Sequence, residues 1–101
     1  MAEYVVTIDN PGDKLSQVQW SRYVGRANDI IAYYAKTIYF SGSGNAVAPW
    51  QNYAWYYNCP GFIKYDLIRE ELDELRVEFK QDSIAMGKVF PDPIIDISAQ
   101  F

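Results

Sequence analysis

The chain has 101 residues, half of them hydrophobic and 17% aromatic, and a net charge of −4. That length suits a single domain over residues 1–101 with one modest core, and the apolar content argues against disorder. The acidic balance argues against direct nucleic-acid binding, the absence of histidine removes Ser-His and Cys-His catalysis, and no apolar run is long enough for a membrane span.

Residues Glu3 to Asp9 alternate as a strand should, with Tyr4, Val6 and Ile8 on one side and Val5 and Thr7 on the other. No basic region precedes an apolar stretch there, so no signal peptide is expected. Asn10-Pro11-Gly12-Asp13 is a turn signal that ends the strand. A long helix follows, capped by Asp13 or Ser16, and Ser16 to Gln19 has the capping-box spacing. Its apolar face is Trp20, Tyr23, Val24, Ala27, Ile30, Ile31, Tyr34 and Ile38. The helix is expected to stop near Phe40, before the flexible loop Ser41-Gly42-Ser43-Gly44-Asn45. That loop lacks the Gly-Lys-Ser/Thr and the preceding strand of a phosphate loop.

Pro49 is placed to open a short helix. On it Trp50, Tyr53, Ala54 and Tyr57 share a core face, while Trp55 and Tyr56 point away as exposed anchors. Asn58-Cys59-Pro60-Gly61 closes this segment. The single cysteine, Cys59, fits a small buried thiol and a reducing, cytoplasmic setting. Between Tyr65 and Met86 the clearest pattern of the chain appears. Tyr65, Ile68, Leu72, Leu75 and Phe79 form one apolar helical stripe. Beside it Asp66, Glu70, Glu74, Glu78 and Asp82 recur at a strict spacing of four. Gly87 suits a C-cap, with Pro91 beyond it. The tail alternates again over Ile94 to Ser98 and is expected to pair with the N-terminal strand.

These elements predict a mainly α fold: two long antiparallel helices, a short aromatic helix wedged against them, and short terminal strands. The alternative is an α+β domain whose termini form a sheet across a dimer. Self-association is expected, because the aromatic surplus exceeds what one small core readily hides.

The acidic row carries the functional expectation. Like charges four apart on a helix repel by a few tenths of a kcal/mol each. A helix that tolerates this is placed to present the row to a basic protein surface. The main reading is a non-enzymatic interaction module with no metal or cofactor. It docks Asp66, Glu70, Glu74, Glu78, Asp82, Trp55 and Tyr56 on a basic partner, such as a nucleic-acid-binding protein. Inhibitors of phages and mobile elements are of this general type. The alternative is a small-ligand binder that uses the aromatic residues as a pocket for a nucleotide-like molecule, with Arg22 and Arg26 as sources of charge for its phosphate.

Glu70-Glu71-Leu72-Asp73-Glu74 reads E-E-x-x-E. It resembles half of the metal site of the all-α nucleotide pyrophosphohydrolases of the MazG type, where helix carboxylates hold magnesium. The resemblance covers these residues alone; an acidic pair at E-x-x-D spacing on a following helix is missing. It implies a magnesium-dependent pyrophosphohydrolase as a lesser alternative.

Overall fold

The structure is a computed structural model that describes residues 2–44 and 50–89, and for residues 62 and 63 the backbone alone. Its elements are β1 (Ala2–Asp9), α1 (Gln17–Tyr34), β2 (Thr37–Gly42), β3 (Asn52–Cys59), α2 (Phe62–Glu78) and β4 (Ala85–Val89), with one 3-10 turn at Pro11–Asp13. The four strands form one antiparallel sheet in the order β2-β3-β1-β4. Two β-α-β units interleaved in this way make the ferredoxin-like arrangement.

The predicted N-terminal strand and the start of α1 are present as read. Ser16 closes a capping box, its hydroxyl accepting from the Gln19 N–H at 3.2 Å while the Gln19 side chain accepts from the Ser16 N–H at 2.9 Å. Ahead of the helix, buried Asn10 pins the turn. Its amide donates to the Leu15 carbonyl at 3.0 Å, and its oxygen accepts from the Leu15 N–H at 2.9 Å.

The mainly helical expectation is wrong; the α+β alternative names the right class. The proposed short aromatic helix is the strand β3, although Pro49, its expected first residue, lies outside the described residues. Tyr53, Trp55, Tyr57 and Cys59 alternate, so a strand directs all four inward. Between β1 and β2, β3 also pairs its backbone on both edges. A helix over the same residues would split those side chains around its circumference. The first helix ends at Tyr34, not near Phe40. The Lys36 N–H bonds the Asn58 carbonyl at 3.1 Å and the Thr37 N–H bonds the Asn58 side chain at 2.7 Å, which draws the chain into β2.

The second helix ends at Glu78 rather than running on toward Met86, so Gly87 is a strand residue and not a C-cap. Its start is at Gly61, whose φ of 81° is the left-handed conformation that glycine adopts without penalty. The two helices do lie antiparallel: Tyr23 meets Phe79 at 5.0 Å between ring centres, while Tyr34, about three turns further along α1, faces Glu71, back along α2. The tail expected to form a strand at Ile94 to Ser98, and Pro91, lie outside the described residues. No helix among the described residues is long and apolar enough to cross a membrane.

Both helices cover one face of the sheet. From the sheet come Tyr4, Val6, Ile8, Trp55, Tyr57 and Cys59, all buried. Trp20, Tyr23, Ala27 and Ile31 descend from α1, and Ile68, Leu72 and Leu75 from α2. The apolar stripe read for α2 is therefore its core face, with Tyr65 and Phe79 packed at the margins.

Candidate functional site

The strand registers decide which residues occupy the other face of the sheet. Side chains directly across an antiparallel pair share a face. Val5 lies opposite Tyr56 and Gly87, Thr7 opposite Ala54 and Ala85, and Glu3 opposite Asn58 and Val89. None of these belongs to the inward set, and no described helix covers them.

At the β2 edge a register shift between Ile38 and Phe40 adds a residue to the strand. Such a bulge re-aims side chains locally. Ile38 packs against the core, whereas Tyr39 and Phe40 both turn to the open face. Tyr39 lies 5.1 Å from Tyr56 between ring centres, and its hydroxyl accepts from the Asn58 amide at 2.9 Å. Phe40 is 62% exposed and Tyr39 48% exposed. The Tyr56 hydroxyl donates to the Glu3 carboxylate, and that bond raises the Tyr56 pKa. The open face therefore has an aromatic edge, a small apolar centre at Val5 and Ala54, and polar groups already bonded to one another.

The predicted site residues fall in three places. Asp66, Glu70, Glu74 and Glu78 lie exposed along α2. Asp66, Glu70 and Glu74 make no ion pair among the described residues. Glu78 is bound by both terminal nitrogens of Arg26 from α1. The guanidinium holds the Glu78 carboxyl below its ordinary range. Asp82 lies in the loop after the helix and does not continue the row.

The two aromatic anchors part company. Tyr56 is on the open face. Trp55 is fully buried against the helices, where its indole N–H donates to the Asn28 side chain at 3.0 Å. Adjacent strand residues point to opposite faces, so the helical wheel that exposed both of them was the wrong geometry. Tyr39 and Phe40 were missed as surface residues. The run Thr37-Ile38-Tyr39-Phe40, β-branched and aromatic, was the available signal.

The E-E-x-x-E stretch sits on α2 in an α+β domain, not in the all-α setting that its resemblance implies. Among the described residues no group of three or more Asp, Glu or Cys side chains gathers as metal ligands. Cys59 is buried, and burial raises its thiol pKa, so the site offers no activated nucleophile there.

No protein-family model and no curated protein matches the chain. Several solved structures match the chain in fold, two of them as follows. One is a dimeric ferredoxin-like protein of unknown function from Thermobifida fusca, with a TM-score of 0.58 and 9% identity over 88% of this chain and 90% of that one. The other is an uncharacterized NIPSNAP domain protein from Burkholderia xenovorans, with a TM-score of 0.53 and 9% identity over 95% of this chain and 99% of that one. At such identity the likeness shows the fold alone.

Proposed function

We propose that the protein is a non-enzymatic interaction module that works as a homodimer joined through its open sheet faces. The observation that carries this reading is the aromatic edge at Tyr39, Phe40 and Tyr56 beside Val5 and Ala54. A sheet face meant for water alternates polar residues outward. An exposed apolar patch of this kind usually marks a contact. A two-fold axis lets one patch serve both partners, each contact being made twice. The Thermobifida fusca neighbour is described as dimeric, which supports self-association as such for this chain.

In such a dimer the helix layers face outward. The unpaired carboxylates Asp66, Glu70 and Glu74 then remain available to a basic partner surface. Their role is steering and rim contact, which salt weakens.

Sedimentation velocity across micromolar concentrations tests the first part. Wild type is expected to sediment as a dimer and Phe40→Glu as a folded monomer. A monomeric wild type contradicts the reading. Affinity capture with wild type and with the Glu70→Gln/Glu74→Gln variant tests the second. A partner retained equally by both, at low and high salt, removes the acidic row from the account.

A further inference from the structure

A groove of about 530 Å³ lies at one end of the helix pair, between the start of α1 and the loop after α2. Its volume is in the range of small-molecule sites. Its charge runs against that of the chain as a whole, which carries a net −4. Lys14, Arg22, Arg26 and Lys80 line it, against the single carboxylate of Glu78. That carboxylate is occupied by Arg26. Lys14, Arg22 and Lys80 have no ion-pair partner among the described residues. These three cations come from the turn before α1, from α1 itself and from the loop after α2. Only the tertiary fold brings them together.

Two further observations give the groove a built character. Phe79 forms part of its wall and is held in place by Tyr23 at 5.0 Å and by the Arg26 guanidinium, 5.7 Å from its centre. Lys80 has a φ of 55°. The Lys80 N–H bonds the Val77 carbonyl and the Gln81 N–H bonds the Arg76 carbonyl, both at 3.0 Å. This is the Schellman closure of α2, and glycine is its usual occupant at that residue. Lysine there carries a steric penalty that glycine would not. A strained residue is a pointer to function when its side chain has somewhere to act. Here it lines the cationic groove.

We propose that this groove binds a small, multiply charged phosphorylated molecule, with Arg22, Lys14 and Lys80 on its phosphate oxygens. The arginine fork matches paired phosphate oxygens, and the lysines add mobile point charges. Arg26 stays with Glu78 and fixes the wall rather than the ligand. This site is separate from the open sheet face and does not depend on dimer formation.

Titration calorimetry at low salt, with inorganic triphosphate as the probe and citrate as the polycarboxylate control, tests the proposal. Triphosphate is expected to bind saturably, one per chain, and citrate at least about tenfold more weakly. Arg22→Gln and Lys80→Gln are each expected to lower triphosphate affinity about tenfold or more, as loss of a charged hydrogen bond does. Lys80→Gly gives a signature that a structural role would not. Its melting temperature should rise, because the left-handed strain is relieved, while its affinity falls. Absence of saturable triphosphate binding overturns the proposal. So does citrate binding as tightly, or unchanged affinity in both Gln variants.

Discussion

At the scale of single residues, the most constrained polar group is Asn10. Its fully buried side chain satisfies both backbone groups of Leu15 and also bonds Gln51 at 3.2 Å. Asn10→Ala leaves a buried N–H and a buried carbonyl without partners. A destabilisation of about 2–6 kcal/mol is expected by chemical denaturation, since each of the two orphaned groups costs about 1–3 kcal/mol. A change near zero would show that water replaces the amide. Tyr23 sets an alkaline limit on stability. Burial first, then nearby Asp9, pushes its pKa from 10.0 up to about 12. Its neutral phenol therefore stabilises the fold fully below pH 10, and that stability is lost as pH rises through about 12. Tyr57, also buried, is shifted in the same direction. Spectrophotometric titration of the tyrosines should show a late group that ionises together with loss of near-ultraviolet circular dichroism. Ionisation of all nine tyrosines before unfolding would contradict this.

At the scale of elements, what the sequence disclosed depended on which period each segment obeys. β1 was legible because its alternation is uninterrupted and a turn signal closes it. α1 was legible at its start through the Ser16 capping box, and α2 through its stripe of Ile68, Leu72 and Leu75. β3 was not. Trp50, Tyr53, Ala54 and Tyr57 satisfy a helical spacing by accident, because nearly every residue of the segment is aromatic or apolar. The better signal was the alternation of Tyr53, Trp55, Tyr57 and Cys59. The open face was illegible for a different reason: it exists only once β2, β3, β1 and β4 are placed side by side, and a bulge sets its aromatic edge. Asp66, Glu70, Glu74 and Glu78 lie along α2, whereas Asp82 falls past its end, and the ion pair of Glu78 with Arg26 is a tertiary contact that no spacing announces.

Two predictions belong to these elements. Leu72→Ala and Leu75→Ala, in the middle of the α2 core face, should each cost about 2–5 kcal/mol, and melting within a degree of wild type would misplace that face. Glu78 has a depressed pKa in the folded chain, so its pairing with Arg26 stabilises the fold above the unfolded carboxyl pKa and is lost as pH falls through the lower folded value. Glu78→Gln should flatten the acid limb of the stability profile. An unchanged limb would show that the pair contributes nothing to it.

At the scale of the whole molecule, the sheet has two unlike faces. Its inner face is occupied by both helices, and the helices present carboxylates outward. Its outer face presents Val5, Ala54, Tyr56, Tyr39 and Phe40 with no described element over them. An antiparallel sheet with one face in water is ordinary; an aromatic edge on that face is not. In the dimer proposed above, pairing of two such faces would account for the surplus of large apolar side chains without an appeal to a deeper core. The most direct test mixes isotope-labelled and unlabelled copies and records nuclear Overhauser contacts between them. Contacts between copies are expected at Phe40, Tyr39, Tyr56 and Val5. Their absence, or contacts arising instead from exposed helix residues such as Val18 and Val77, would contradict the account.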